Sequence, residues 1–249
     1  MYSVYKRLED FLKNNGDANI NFCVANNGIL EMTRNLVKSA QMNNVKIVLI
    51  ALDKTIVRNM RGQCDIVKYF DNHFEKKIVS AQFYSYDSKD FKLVVHQRFF
   101  IGNQILKANK SYIYMDVDIV ITKNFVNDVL KQYENTEYDC LIQSNGNKCC
   151  TGFYSMRPTV KTLSIDKPFF EKYDYKKYKH DQAFFNRKIY VPGILNIKLL
   201  NRPHYPTGSF YYTHSSKIED KCFIVHFNCL IGNNIKINKM KAYKKWYIN

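Results

Sequence analysis

The sequence predicts an α/β fold: a mostly parallel sheet flanked by helices, folded as one domain over residues 1–249. Three observations carry that expectation. Strand-like apolar runs alternate with amphipathic helix patterns through the first half of the chain. The stretch VKIVLIAL at 45–52 is apolar nearly throughout, as in a parallel strand covered on both faces. The length suits one core with loop insertions.

In chain order, Met1 to Asn15 is charged and amphipathic, with Val4, Leu8, Phe11 and Leu12 at helical spacing. Residues 21–25 read as a strand. Residues 29–41 read as a helix with Met32, Leu36, Val37 and Ala40 on one side. The strand 45–52 runs into Asp53, which stands where a helix N-cap or a ligand contact belongs. A long helix follows over 89–107, then a buried strand over 111–117. A helix over 122–133 has Thr122 as its cap. The second half is less regular. It has short strands near Leu141, Phe153 and Leu195, a helix over 181–188 and a strand over 222–227. The segment 236–245 carries five Lys and no acid.

Composition narrows the class. Hydrophobic residues make up 46% and charged residues 24%, and 19 Tyr with 17 Phe exclude a disordered chain. Lys and Arg number 38 against 22 acids, a net charge of +16, which calls for an anionic partner. Nucleic acid, a membrane surface and phosphorylated small molecules all qualify. The seven cysteines are odd in number and lack a C-x-x-C pair, against a secreted disulfide framework or a zinc ribbon. Reduced, buried thiols in a reducing, cytoplasmic compartment are expected. No apolar run approaches the ~20 residues that span a bilayer, and the N-terminus lacks a signal-peptide centre. The Asn/Lys/Ile-rich composition fits an AT-rich genome, such as that of a large virus or a protist.

The sharpest chemical signal is SYIYMDVDIV at 111–120, where Asp116 and Asp118 are the only charges. Residues i and i+2 of a strand share a face. Two carboxylates so placed repel unless a cation lies between them, and their hard oxygens suit Mn²⁺ or Mg²⁺. The plain alternative is a pair of cap or turn acids. A second cluster, His226-Phe-Asn228 with Gly232 and Lys236, follows the last strand. It offers an imidazole ligand and a cation for a diphosphate. The plain alternative for His226 is a satisfied buried histidine. Residues 116–120 also fit the D-x-D-x-(T/V) of aspartyl-phosphate phosphatases, but that motif usually lies on a first strand with a later acidic pair; here it lies mid-chain, and after Asp181 the only acids are Glu219 and Asp220, too late and in the wrong context.

With these pieces in order, the chain resembles the GT-A nucleotide-diphospho-sugar transferases, and most the retaining group of families 8 and 77. Tyr114-Met-Asp116-Val-Asp118, Thr151-Gly152-Phe153, His180-Asp181-Gln182 and His226-x-Asn228 with Gly232 and Lys236 match over roughly 20–246. The resemblance implies a GT-A fold with a nucleotide-binding half over about 18–120 and an acceptor half over about 121–249. It implies Mn²⁺ (or Mg²⁺) held by Asp116, Asp118 and His226. Ala25, Asn26 and Asp53 would border the nucleoside. Arg98 would face the diphosphate, or stand as a solvated helix residue. Gly152 would admit the sugar, with Asn228 and Gly232 in the donor site. Asp181 and Gln182 would line the reaction centre, or Asp181 would cap its helix. Lys236 would hold the departing diphosphate, with Lys239 as a rival. The implied reaction moves a sugar from a UDP-sugar to a hydroxyl of a glycan, protein or small-molecule acceptor, with retention. The main alternative is a nucleic-acid binder using the +16 charge and the basic, aromatic stretch 172–179. Its charges are dispersed and no recognition module accompanies them, so no nucleic-acid partner and no transmembrane segment is expected.

Overall fold

The computed structural model describes residues 2–69, 79–165, 169–170, 172–174 and 176–248. The chain begins with β1 (Val4–Tyr5), α1 (Leu8–Asn14) and β2 (Asn19–Ala25). A 3₁₀ turn (Asn27–Ile29) leads into α2 (Leu30–Met42), followed by β3 (Val48–Ala51), α3 (Lys54–Met60) and β4 (Asp65–Lys68). Next come α4 (Lys89–Lys107), β5 (Ser111–Met115), β6 (Ile119–Ile121) and α5 (Val126–Lys131). The second half holds β7 (Cys140–Asn145), β8 (Lys148–Met156), α6 (Val160–Ser164) and α7 (Asp181–Lys188). It ends with β9 (Ile197–Leu200), α8 (Gly208–Ile218), β10 (Ile224–His226) and α9 (Asn233–Ala242).

Eight strands form one sheet in the order β1-β4-β3-β2-β5-β8-β7-β9. All neighbours are parallel except β5/β8 and β8/β7. The pleat sorts alternate residues to two cores. Phe22, Tyr112 and Tyr114 face one side, with Phe11 of α1, Phe99 and Ile105 of α4, and Phe184 and Phe185 of α7. Cys23, Ala25, Ile113 and Met115 face the other, with Leu36 and Val37 of α2, Ile56 of α3, and Ile237 and Met240 of α9. Full burial of each Leu, Ile, Val, Phe or Met among them contributes about 1.5–3 kcal/mol. The α/β fold with a mostly parallel, helix-flanked sheet is therefore the one the sequence predicts.

Several boundaries differ. The strand expected over 111–117 stops at Met115. Asp116 to Asp118 then form a turn, with Ile119 N–H donating to Asp116 O at 3.1 Å, so the two carboxylates do not lie on one strand face. The helix expected over 122–133 runs only from Val126 to Lys131. Thr122 does not cap it, because its hydroxyl donates to Cys222 O at 2.7 Å and its N–H to Phe223 O at 2.9 Å. The strand expected near Leu195 is β9, two residues later, and the strand over 45–52 shrinks to four residues, Val48–Ala51. In 172–179, Tyr173 and Tyr178 are buried in the aromatic core, so they are not free to stack on bases. None of the seven cysteines is bridged, and only Cys229 is exposed. Among the described residues no helix is long and apolar enough to cross a membrane.

Candidate active site

The site grows from the turn between β5 and β6. β6 pairs antiparallel with β10, which sets His226 opposite Ile119, and Phe227 N–H donates to Asp118 O at 2.9 Å. This two-stranded ladder brings an imidazole from the end of the chain beside Asp118. Ligand atoms of Asp116, Asp118 and His226 lie within 4.8 Å of one another. His226 Nε2 is 3.2 Å from Asp118 Oδ1 and 3.8 Å from Asp116 Oδ2. Gly152 of β8 closes the floor, and its carbonyl accepts from Asp116 N–H at 2.7 Å. A Cβ there would stand 2.1 Å from His226 Cε1 and 2.7 Å from Asp116 Oδ2, so only glycine fits.

Two cations hold the carboxylates from opposite faces of the sheet. From α4, buried Arg98 donates to Asp116 Oδ1 at 2.8 Å, Thr151 Oγ1 at 2.9 Å and Tyr114 Oη at 3.2 Å, and pairs with Asp181. Tyr114 Oη adds a 2.5 Å bond to Asp116 Oδ1. From α9, Lys236 Nζ donates to Asp118 Oδ2 at 2.6 Å. Burial opposes the charge of Asp118, but Lys236 and His226 outweigh it and hold the carboxyl below its ordinary value. Burial likewise opposes the charge of Lys236, and Asp118 overrides it and raises the ammonium. Asp181 opens α7 without capping it. The cap is His180, whose Nδ1 accepts from Ala183 N–H at 3.1 Å. Gln182 Oε1 accepts from Thr151 N–H at 3.3 Å.

The remaining candidates lie at the neighbouring strand ends. Ala25 ends β2 and is buried. Asn26 Nδ2 donates to Ser80 O and Gln82 O at 2.8 and 2.7 Å. Asp53 is an N-cap, accepting from Thr55, Ile56 and Asn27 N–H groups, so it locks the β2 and β3 ends together. Asn228 Oδ1 accepts from Gly208 N–H at 2.7 Å, and Gly232, at φ 98°, caps α9. Asn233 Nδ2 donates to Gly28 O at 2.9 Å, which ties the loop before α9 to the loop after β2. Lys239 Nζ lies 4.8 Å from the centroid of the Tyr212 ring, whereas Lys236 is the lysine that pairs with Asp118.

Sequence reasoning missed three groups that the structure brings to this network. Tyr114 and Thr151 stood inside quoted motifs but had no assigned role. Gln143 lies two residues past Leu141, near which only a short strand is expected. It follows the apolar run Cys140-Leu-Ile and precedes Ser144 and Asn145, so it reads as an ordinary strand end and no local signal marks it.

Two carboxylates and one imidazole nitrogen suit a divalent ion with a preference for oxygen. The fit is supported by the glycine floor against Asp116 and His226, where a Cβ would fill the space between them. With His226 neutral, as a ligand must be, Arg98 and Lys236 offset two of the three carboxylates in the cluster (Asp116, Asp118 and Asp181), leaving one negative charge for a cation. Such a pocket, at the carboxyl edge of a mostly parallel sheet, suits a ligand that brings phosphate oxygens to a cation. That defines the class of nucleotide-dependent group transferases.

The chain belongs to the nucleotide-diphospho-sugar transferase family, whose model matches residues 43–240. It is 23% identical over 278 aligned positions to the UDP-galactose:fucoside alpha-3-galactosyltransferase of Dictyostelium discoideum. The alignment takes in 91% of this chain but 42% of that relative, so the chain spans less than half its length. Solved glycosyltransferases share the fold. The glycosyltransferase GlyE of Streptococcus pneumoniae TIGR4 superposes with a TM-score of 0.57 at 14% identity, over 94% of this chain and 65% of that one. Mouse xyloside xylosyltransferase 1 gives 0.51 at 11% identity, over 85% and 98%. Membership sets the phosphatase alternative aside.

Proposed function

We propose that this protein transfers a sugar from a nucleoside-diphosphate donor, a UDP-sugar, to a hydroxyl acceptor, with Mn²⁺ (or Mg²⁺) as cofactor. The observation that carries the reading is the convergence of Asp116, Asp118 and His226 beside Lys236. Asp116, Asp118 and His226 would hold the ion, and when bound it supplies Lewis-acid stabilisation of the diphosphate. Residues 18–120 serve the nucleotide, with Ala25, Asn26 and Asp53 at the strand ends bordering the nucleoside. Residues 121–249 serve the sugar and the acceptor. Gly152, Asn228 and Gly232 shape the donor pocket through backbone approach and loop geometry.

The chain's own chemistry follows from charge. The anomeric C–O bond breaks and its electron pair goes to the diphosphate. Lys236 Nζ, already charged and partly buried, meets that developing charge. Arg98 holds Asp116 and Asp181 in place behind the diphosphate site. Asp181 and the Gln182 amide face the electron-poor sugar carbon, and the acceptor oxygen forms the new bond there as its hydroxyl proton passes to the departing diphosphate oxygen. A diphosphate leaves without a separate protonating acid. Retention follows the family resemblance of the D-x-D and D-Q pieces. The Dictyostelium relative acts from UDP-galactose on a fucoside, which puts UDP-galactose and a fucoside acceptor first among substrates to try. The unbridged cysteines favour a reducing, cytoplasmic setting.

The test is a thermal-shift panel of nucleotides and nucleotide-sugars with Mn²⁺ or EDTA, followed by transfer assays on the best donor. UDP and a UDP-sugar should raise the melting temperature with Mn²⁺ and lose that effect in EDTA. No shift with any nucleotide in Mn²⁺, together with a salt-sensitive shift on RNA or DNA, would overturn the reading in favour of a binder.

A further inference from the structure

We propose that Gln143 is the positioning residue that selects the metal-binding tautomer of His226. The proposal rests on reading Asp116, Asp118 and His226 as a metal site. Gln143 lies on β7, fully buried, where the pairing with β8 slips out of register between Ile142 and Gln143. Such a bulge re-aims side chains near a site. Gln143 shares the strand face of Leu141, the side where Phe153, Leu200 and Tyr205 pack. A primary amide placed there is expensive unless it is bonded.

Its bonds fix its orientation. Nε2 donates to Tyr205 O at 3.1 Å and to Pro206 O at 2.9 Å, which uses both amide hydrogens. A flipped amide would set its oxygen against two carbonyl oxygens, so Oε1 must face the other way. There it meets His226 Nδ1 at 2.7 Å. An amide oxygen only accepts, so Nδ1 carries the hydrogen and donates. Nε2, on the side of Asp116 and Asp118, is left as the ligand atom.

The neighbourhood makes this selection necessary. Asp118 Oδ1 stands 3.2 Å from Nε2 and, taken alone, favours a hydrogen on that nitrogen. That hydrogen would occupy the lone pair a metal needs. Cys150 Sγ, 3.7 Å from Nδ1, is a more distant and weaker acceptor than the glutamine. Gln143 therefore decides which of two acceptors keeps the imidazole hydrogen.

The first test uses the unmodified, metal-free protein. Nitrogen-15 NMR of labelled histidine, with the His226 signal assigned by its loss in His226→Gln, should show the neutral imidazole, on the alkaline side of its titration, with hydrogen on Nδ1 and a bare Nε2. A bare Nδ1 with hydrogen on Nε2 would overturn the proposal, whether or not the protein is a transferase. The second test measures binding of Mn²⁺ alone by electron paramagnetic resonance. Gln143→Met should weaken binding by about 10–100-fold, the usual effect of losing a partner behind a metal ligand. It should also move the His226 hydrogen to Nε2. A folded Gln143→Met protein that binds Mn²⁺ within twofold of the parent would overturn the proposal. If that variant fails to fold, the tautomer of the parent decides alone. A parent protein that binds no Mn²⁺ yet keeps Nδ1 protonated would refute the metal reading and leave the orienting role of Gln143 standing.

Discussion

Two buried histidines, His96 and His226, show how neighbours decide the work of one side chain. His96 of α4 sits in an aromatic cage, stacked on Tyr173 at 4.2 Å with Phe99, Phe100, Phe170 and Phe184 around it. Its Nε2 donates to Phe170 O at 2.9 Å, and burial drives its pKa down to about 4. His226 is as deeply buried but faces carboxylates. Burial still opposes its charge, yet Asp118 dominates and raises the pKa well above the ordinary value. The cage makes a neutral packing group, and the carboxylate cluster favours a charged one. Burial alone does not mark a functional histidine; the charge of what it faces does.

The most forceful way to break this comparison is to remove the charge that distinguishes the two pockets. Asp118→Ala should lower transfer by about 10³-fold or more, since a bound divalent ion supplies several kcal/mol. It should also abolish Mn²⁺-dependent nucleotide binding, measured calorimetrically, while the circular dichroism spectrum and a cooperative melt are retained. Unchanged activity would mean that the carboxylate-facing histidine is as structural as the caged one.

How much of this contrast was legible in the sequence differs between its parts. The parallel core was readable because strands such as 21–25 and helices such as 89–107 and 181–188 carry complete periodic patterns. The residues Asp116, Asp118 and His226 were readable as chemistry. The reason for their meeting was not. They were expected to converge as strand ends along one sheet edge, whereas a separate antiparallel pair, β6 with β10, joins them. Three-residue strands leave almost no periodic trace. The locking of Asp53 to Asn27, and of Arg98 to two acids at once, depends on tertiary contacts that no local pattern records.

The pH dependence of stability sharpens the comparison, because the two histidines act on opposite flanks. His96 has a folded pKa of about 4 against an ordinary 6.5. Between those values the unfolded chain binds more protons, so stability present above pH 6.5 is lost as pH falls toward 4, by about 3 kcal/mol in total. His226 is raised, so in metal-free protein its contribution is complete below pH 6.5 and is lost as pH rises through its folded value. Urea unfolding against pH should show both flanks. Mn²⁺ should reshape only the alkaline one, and His96→Leu should flatten only the acid one. An acid flank that survives His96→Leu would show that the cage does not hold a neutral imidazole.

A smaller, more selective effect is expected at Lys236. Its ammonium neutralises Asp118 at rest and meets the diphosphate as charge develops. Lys236→Met should lower kcat by about 10–100-fold and change donor KM only a few-fold. Steady-state kinetics on the best donor separate the two. A purely KM effect would place Lys236 in ground-state binding and leave the leaving group to other residues.

The smallest effect is expected where positive charge is neither buried nor opposed. Lys54, Arg58 and Arg61, around α3, and Lys68, at the end of β4, line a concavity of about 370 Å³ with Val57. Lys54, Arg58 and Arg61 are exposed, and none of the four pairs with an acid among the described residues. Water screens such charges within about 10 Å at ordinary salt, and exposed substitutions usually shift stability by less than about 0.5 kcal/mol. Arg58→Ala combined with Arg61→Ala should therefore leave the melting temperature, kcat and donor KM close to those of the parent. The double variant removes two charges from the +16 surplus without touching either histidine pocket. Tenfold lower turnover on an anionic acceptor, with neutral acceptors unaffected, would show that these cations recruit substrate. The rule drawn from His96 and His226, that a charge acts through what it faces when buried, would then need a long-range term beside it.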